Sequence, residues 1–150
     1  MSSEYTRGAY QISTDPARLD LAVIHGYLTR SYWAAGIPRA TVQRAIEHSL
    51  CFGVYEGTQQ VGFARVISDY TTFAYLADVF ILETHQGRGL ARWLMECIMA
   101  HPDLQGLRRW LLFTRDAHGL YRQYGFGPPA APERIMEIRY PDVYKEAATP

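Results

Sequence analysis

Residues 84–95 read THQGRGLARWLM. Gly87 and Gly89 flank Arg88 in a short turn. Before the turn runs FAYLADVFIL (73–82), an apolar stretch long enough for a strand. After it, Leu90, Trp93, Leu94, Cys97 and Ile98 recur at i, i+3, i+4, i+7 and i+8, the spacing of one helix face. Arg92 and Glu96 stand four apart and are expected to pair on the outer face. His101-Pro102 closes this helix.

A strand, a glycine turn and a helix together make an anion site. The first helical turn has amides with no partner inside the helix, and the helix dipole adds partial positive charge. Gly87 and Gly89 let the backbone approach an anion closely, and Arg88 can add a full charge. The turn therefore reads as a pyrophosphate cradle. It is not a nucleoside-triphosphate loop, because it has no lysine followed by serine or threonine. It departs from the dinucleotide fingerprint as well. The third glycine position falls on Arg92, and no acid stands at 105–112.

The flanking sequence extends the pattern. YQIS (10–13) suits a short first strand after a frayed start at residues 1–8. Thr14-Asp15-Pro16 signals a helix start, and Leu21, Ile24 and Leu28 mark its inner face as far as about Arg30. SYWAAGIPR (31–39) is a loop, and a second helix follows with Val42, Ala45, Ile46 and Ser49 inward. CFGVY (51–55) and VGFARVIS (61–68) form a hairpin across EGTQ. RWLLFT (109–114) is a further strand, and residues 117–124 make a short helix stopped by Gly125. RIMEIRY (134–140) alternates and predicts a last strand, with a mobile tail after Pro141. The order predicts an α/β fold of one domain, with a mixed, mostly antiparallel sheet and helices packed on it.

Composition narrows the function classes. A chain of 150 residues suits a single core. Net charge is zero, which gives no pull toward nucleic acid or an anionic membrane. No apolar run nears the roughly 20 residues of a membrane span, and the N-terminus lacks a signal pattern. Cys51 and Cys97 form no disulfide framework and no metal-ligand cluster. His25, His48, His85 and His101 have no metal spacing either. A reducing cytoplasm is the expected location, with no metal.

Gln86, Gly89 and Ala91 match Gln/Arg-x-x-Gly-x-Gly/Ala, and GLYRQYGF (119–126) follows one helix and one strand later. The pair resembles the two signatures of the GNAT superfamily of N-acetyltransferases, whose second reads Leu-Tyr-x-x-x-Gly-Phe. The resemblance covers about residues 51–127 and extends loosely to both ends. It implies the GNAT fold with helices on both faces, acetyl-CoA as co-substrate and a primary amine as acceptor. Residues Gln86, Gly87, Arg88, Gly89, Leu90, Ala91 and Arg92 would take the pyrophosphate. A bulge in the strand before the turn would free backbone groups of Val79, Phe80 and Ile81 for the pantetheine arm and thioester. Thr114 stands where many members carry an asparagine that contacts that arm.

The chemistry sets further demands. An alkyl amine with a pKa near 10.4 is neutral in only about one molecule in two thousand at pH 7. The site must remove a proton from the amine, stabilise a carbonyl oxygen and protonate a departing thiolate. The resemblance makes Tyr121 the acid. A phenol is protonated at neutral pH and can supply that proton. Family members with a base on the strand carry it at positions matching Tyr75 or Ala77, and neither residue suits that role. Asp78 is the acid inside the strand, a candidate base or acceptor contact, with a chain of water molecules as the other route. Tyr32 and Trp33 would wall the acceptor side and can stack a cationic or planar amine. Tyr75 and His118 are further acceptor contacts.

With no cysteine or serine in a nucleophile motif, direct attack in a ternary complex is expected. The acceptor is a small-molecule or peptide amine. Dimers are common in the family, so a homodimer is an admissible assembly, although no stretch marks an interface. Two other readings share the fold: a CoA-binding regulatory module without turnover, and transfer of a longer acyl group.

Overall fold

The computed structural model describes residues 2–147. Six strands form one sheet in sequence order: β1 (Glu4–Arg7), β2 (Tyr10–Ser13), β3 (Leu50–Glu56), β4 (Gln59–Ser68), β5 (Phe73–Ile81) and β6 (Arg109–Leu112). All neighbours are antiparallel except β5 and β6, which run parallel. The helices are α1 (Leu21–Leu28), α2 (Arg39–Glu47), α3 (Leu90–Ala100), α4 (His118–Arg122) and α5 (Val143–Ala147).

The sheet has a core on each face. On one, α3 sends Trp93, Leu94 and Ile98 against Phe52, Val54 and Leu76. On the other, Ile24, Leu28 and Val42 from α1 and α2 meet Phe63 and Phe80. Each face thus buries the apolar stripe of its own helices, the reason layered folds are stable.

β5 serves both cores by changing phase. Up to Leu76 its even residues, Ala74 and Leu76, belong to the α3 core. Beyond it the odd residues take over: Val79 and Ile81 pack there, while Phe80 enters the α1 core. The change occurs at a bulge. Arg65 stands opposite Ala77 and Phe63 opposite Phe80, so β5 spends one more residue than β4. The extra residue is Asp78, at φ 57. Aspartate is among the few side chains that tolerate this left-handed region.

Several expectations need correction. Residues 4–7 are not frayed: they pair with β2 across a turn in which Gly8 has φ 58. Ser13 Oγ donates to Glu4 Oε1 at 2.6 Å, and Arg18 reaches the other Glu4 oxygen at 3.0 Å. Asp15 accepts from the Ala17 amide, but it caps only a 3₁₀ turn at Pro16–Arg18. The helix begins later because the buried Gln60 side chain accepts the Asp20 amide at 2.7 Å. Asp20 then caps α1 through the amides of Ala22 and Val23. Glu96 pairs with Arg7 of β1, at 3.3 Å, rather than with Arg92. RIMEIRY is not a strand. A 3₁₀ turn at Pro132–Arg134 leads into a segment with no strand partner among the described residues. The tail past Pro141 forms α5, and residues 148–150 lie outside the described residues.

Candidate active site

β5 and β6 share only Phe73–Leu76 and Arg109–Leu112. Past that point they separate, and among the described residues β5 has no strand partner on its β6 side. The gap opens into a cavity of about 930 Å³, within the usual range for a small-molecule site. One wall is Val79, Phe80 and Ile81 of β5. The floor is the glycine turn and the start of α3, with Gln86, Gly87, Gly89, Leu90, Ala91 and Arg92.

The turn is held open toward this cavity. Gln86 Nε2 donates to the Ile81 carbonyl at 2.9 Å and ties the turn to the strand end. Gly87 and Gly89 have φ 78 and 76, and Gly89 is the N-cap residue of α3. Among the described residues no side chain caps the helix, and the first helical bond runs from Trp93 N–H to Gly89 O at 3.1 Å. Among the described residues the amides of 87–92 have no hydrogen-bond partner. An anion placed there would meet several donors and the positive end of the helix.

Across the gap, α4 brings Tyr121 to the cavity. Its ring is 9% exposed and meets Phe126 edge-on at 6.0 Å. Among the described residues its hydroxyl makes no hydrogen bond. Burial pushes the phenol up to about 12, helped by nearby Tyr32 and Asp116. It is therefore fully protonated at neutral pH, as a proton donor must be.

The third side comes from the loop after α1. Tyr32 and Trp33 both line the cavity, in edge-to-face contact at 5.1 Å. Tyr32 also joins the two halves of the chain. Its hydroxyl accepts the Arg115 amide at 3.0 Å, and the Arg115 guanidinium lies 3.8 Å over its ring. Trp33 is fixed from behind, where its indole N–H donates to Asp78 Oδ1 at 2.9 Å. The other Asp78 oxygen accepts from Arg65 Nε at 2.9 Å, and Arg65 also reaches Ser49 Oγ. Both carboxylate oxygens are thus engaged. Asp78 stands behind the wall instead of in it.

Four other expected residues lie off the lining. Arg88 turns to the Tyr10 hydroxyl at 2.8 Å and to the Thr84 carbonyl. Thr114 Oγ1 accepts the Ala117 amide at 3.0 Å, steadying the start of α4. Tyr75 meets Phe113 on the sheet face. His118 is exposed at the first position of α4.

Other lining residues escaped the sequence reading. Tyr27 stacks on Phe80 at 4.1 Å and carries the Arg30 guanidinium over its ring. Arg30 pairs with Glu83, whose carboxyl is held below the usual range by the guanidinium hydrogen bond. Arg115 and Asp116 complete the rim beside β6. Tyr27 and Arg30 had one available signal, since their helix leads straight into Tyr32 and Trp33.

Among the described residues no cluster of histidine, cysteine, aspartate or glutamate could hold a metal. No helix among them is long and apolar enough to cross a membrane.

Known proteins share this architecture. A candidate acetyltransferase of Gibberella zeae is 37% identical over 140 residues, covering 78% of each chain. The crystal structure of a candidate GNAT-family acetyltransferase from Xanthomonas campestris pv. campestris superposes with a TM-score of 0.88. It is 57% identical and covers 90% of this chain and 96% of its own. A candidate acetyltransferase from Clostridium acetobutylicum, solved with acetyl-CoA, shares the fold at a TM-score of 0.62 and 14% identity. It covers 93% of this chain and 96% of its own. The acetyltransferase (GNAT) domain profile matches residues 47–128, which hold the β5 bulge, the open glycine turn and Tyr121. This chain belongs to the GNAT acetyltransferase family.

Proposed function

We propose that this protein transfers an acetyl group from acetyl-CoA to an amine, by direct attack in a ternary complex. One observation carries the reading. A single cavity is lined by Gly87, Gly89 and residues 90–92, whose amides are unpaired among the described residues, by β5 beyond its pairing with β6, and by Tyr121.

The residues fit acetyl-CoA. The pyrophosphate would lie on the amides of 87–92, with Arg92 beside it, and the pantetheine arm would run along Val79, Phe80 and Ile81. Acetyl-CoA supplies an activated thioester. Backbone groups of β5 orient its carbonyl and offset charge on the oxygen. The attacking nitrogen forms the new C–N bond as the C–S bond breaks. Tyr121 gives its hydroxyl proton to the departing sulfur and regains one from solvent. The amine proton leaves through water in the open cavity, because Asp78 is tied to Arg65 and Trp33. Asp78 acts as a positioning residue. Tyr32 and Trp33 form the acceptor wall, and a small-molecule or peptide amine would enter past them. The cytoplasm suits a chain whose two buried cysteines are free.

Two measurements test this. In thermal unfolding, acetyl-CoA and CoA should stabilise the protein, and NAD and ATP should not. A ligand at 100 times its Kd contributes about 2.7 kcal/mol. An amine screen that follows release of free CoA thiol should then give turnover. Binding without turnover on any amine would favour a regulatory CoA-binding module. No shift with either CoA species would sink the reading.

A further inference from the structure

The side of the cavity that the proposed reaction gives to the acceptor is walled by tyrosines, and each already has a cation on its ring. The Arg30 guanidinium lies over Tyr27 at 4.6 Å, and the Arg115 guanidinium lies over Tyr32 at 3.8 Å. Tyr27 is also stacked on Phe80, and Tyr32 meets Trp33 edge-on. The attraction these two rings hold for a cation is thus met from within the chain. Among the described residues the carboxylates of the lining are Glu83 and Asp116. Both Glu83 oxygens accept from Arg30, and Asp78 behind the wall is held by Arg65 and Trp33. A polyamine entering here would meet guanidinium groups where it needs carboxylates.

The two arginines differ in the donors they leave open. Arg30 is engaged by Glu83 through both of its terminal nitrogens. Arg115 has Asp116 beside it at 3.6 Å, with the two side chains 65% and 63% exposed. That distance is too long for a hydrogen bond, and exposed ion pairs of this kind contribute little. Among the described residues the Arg115 guanidinium makes no hydrogen bond. The residue is nevertheless held at both ends by one ring. Its backbone amide donates to the Tyr32 hydroxyl at 3.0 Å, and its head group rests on the Tyr32 face. A guanidinium held in this way presents a planar fork of N–H donors, the shape that fits two oxygens of one anion. Its stacking also lowers the entropy lost when an anion arrives.

This fork stands beside Tyr121 and not on the glycine turn. Its two neighbours, Tyr32 and Asp116, are close enough to the Tyr121 phenol to hold its proton more firmly. The glycine turn lies across the gap, with Arg92 there to face a pyrophosphate.

We infer that the acceptor is an amine that also carries an oxyanion group, a carboxylate or a phosphate, and that Arg115 stacked on Tyr32 selects it. The inference rests on the transfer reading given above. The oxyanion would pair with the guanidinium fork while the amine end reaches toward the thioester. Arg115 determines specificity and takes no part in making or breaking bonds.

The test compares acceptors in matched pairs by release of free CoA thiol. Amino acids from glycine to γ-aminobutyrate are set against their carboxamides, and phosphoethanolamine against ethanolamine. Spermidine is the cationic arm. The carboxamides have the less basic amines, so they would react faster if charge played no part. The wild type should instead favour one anionic series by about ten- to hundredfold in kcat/KM, the worth of charge-assisted hydrogen bonds. Which series wins tells carboxylate from phosphate. Arg115→Gln should erase the preference, chiefly through KM, and Arg115→Lys should restore part of it. Arg115→Glu should turn the preference toward spermidine. The Kd for acetyl-CoA should stay within a few-fold in all three. Each variant keeps the main-chain bond to Tyr32 and should melt close to the wild type. A wild type that does not prefer the anion would overturn the inference and leave acetyl transfer intact. So would a preference that survives Arg115→Gln. Binding of acetyl-CoA with no turnover on any amine would remove the transfer reading, and this inference with it.

Discussion

A phenol held near 12 behaves differently from one at 10. At pH 9 to 10.5 an ordinary tyrosine would begin to lose its proton, and as an acid it would fail. Burial keeps the Tyr121 proton in place through that range. The acceptor amine, meanwhile, becomes more nucleophilic as pH rises toward 10. Turnover should therefore climb from pH 7 to about 10 with no falling limb from the acid. Tyr121→Phe should cut kcat by about 10²–10⁴ while leaving the Kd for acetyl-CoA within a few-fold. Steady-state rates paired with calorimetric binding check both halves. A drop in affinity as large as the drop in rate would place Tyr121 in packing instead of chemistry. Its place in the cavity lining was legible from GLYRQYGF, since the resemblance ties a tyrosine to a fixed place in that motif. Asp78 was expected as a base or an acceptor contact, and both its oxygens are engaged by Trp33 and Arg65. Nothing in the sequence shows that Arg65, 13 residues earlier, and Trp33, 45 residues earlier, take its two oxygens.

At the scale of elements, β5 and its bulge organise the site. One extra residue at Asp78 turns Val79 and Ile81 toward α3 and leaves the β6 side unpaired. Asp78→Asn keeps a side chain that tolerates φ 57 but removes the charge that Arg65 answers. We expect a loss of about 1–3 kcal/mol in denaturant unfolding, because Arg65 is largely buried there. The midpoint of the kcat/KM pH profile should stay where it is in the wild type. A displaced midpoint would make Asp78 the base after all.

The elements themselves were legible to differing degrees. Strong periodicity marked α3, β4 and β5. β1 was missed because Glu-Tyr-Thr-Arg carries one apolar residue, and its place depends on β2 and on Glu4 bonds across the sheet edge. The α1 start was misplaced for a similar reason. A local cap at Asp15 competed with a long-range bond from Gln60, and the long-range bond decided the outcome. RIMEIRY has the pattern of a strand, but a pattern states which faces a segment offers and not whether its own chain supplies a neighbour.

At the scale of the molecule, both cores carry buried groups that resist ionisation. Burial pushes Cys51, Tyr55 and Tyr121 up to about 12 and Cys97 to about 11. In the unfolded chain thiols titrate near 9 and phenols near 10. Between those values and 12 the folded state holds more protons than the unfolded state. Stability contributed by these groups is therefore complete below pH 9 and is lost as pH rises toward 12. Melting temperature should be flat from pH 7 to 8.5 and then fall steadily, by calorimetry. A flat curve to pH 11 would show that these groups are far more accessible than their packing suggests.

The placement of the three tryptophans has an optical consequence. Trp93 is 5% exposed in the α3 core, and Trp110 is half-buried against Phe126. Trp33 is 40% exposed, its indole nitrogen fixed to Asp78 while the residue lines the cavity. Two of the indoles are thus a steady background, and the third sits where an acceptor of the proposed reaction would displace water. The protein carries its own emission probe at the edge of this cavity, and the acceptors the proposed reaction would take can be ranked by the colour of Trp33 before any transfer is assayed.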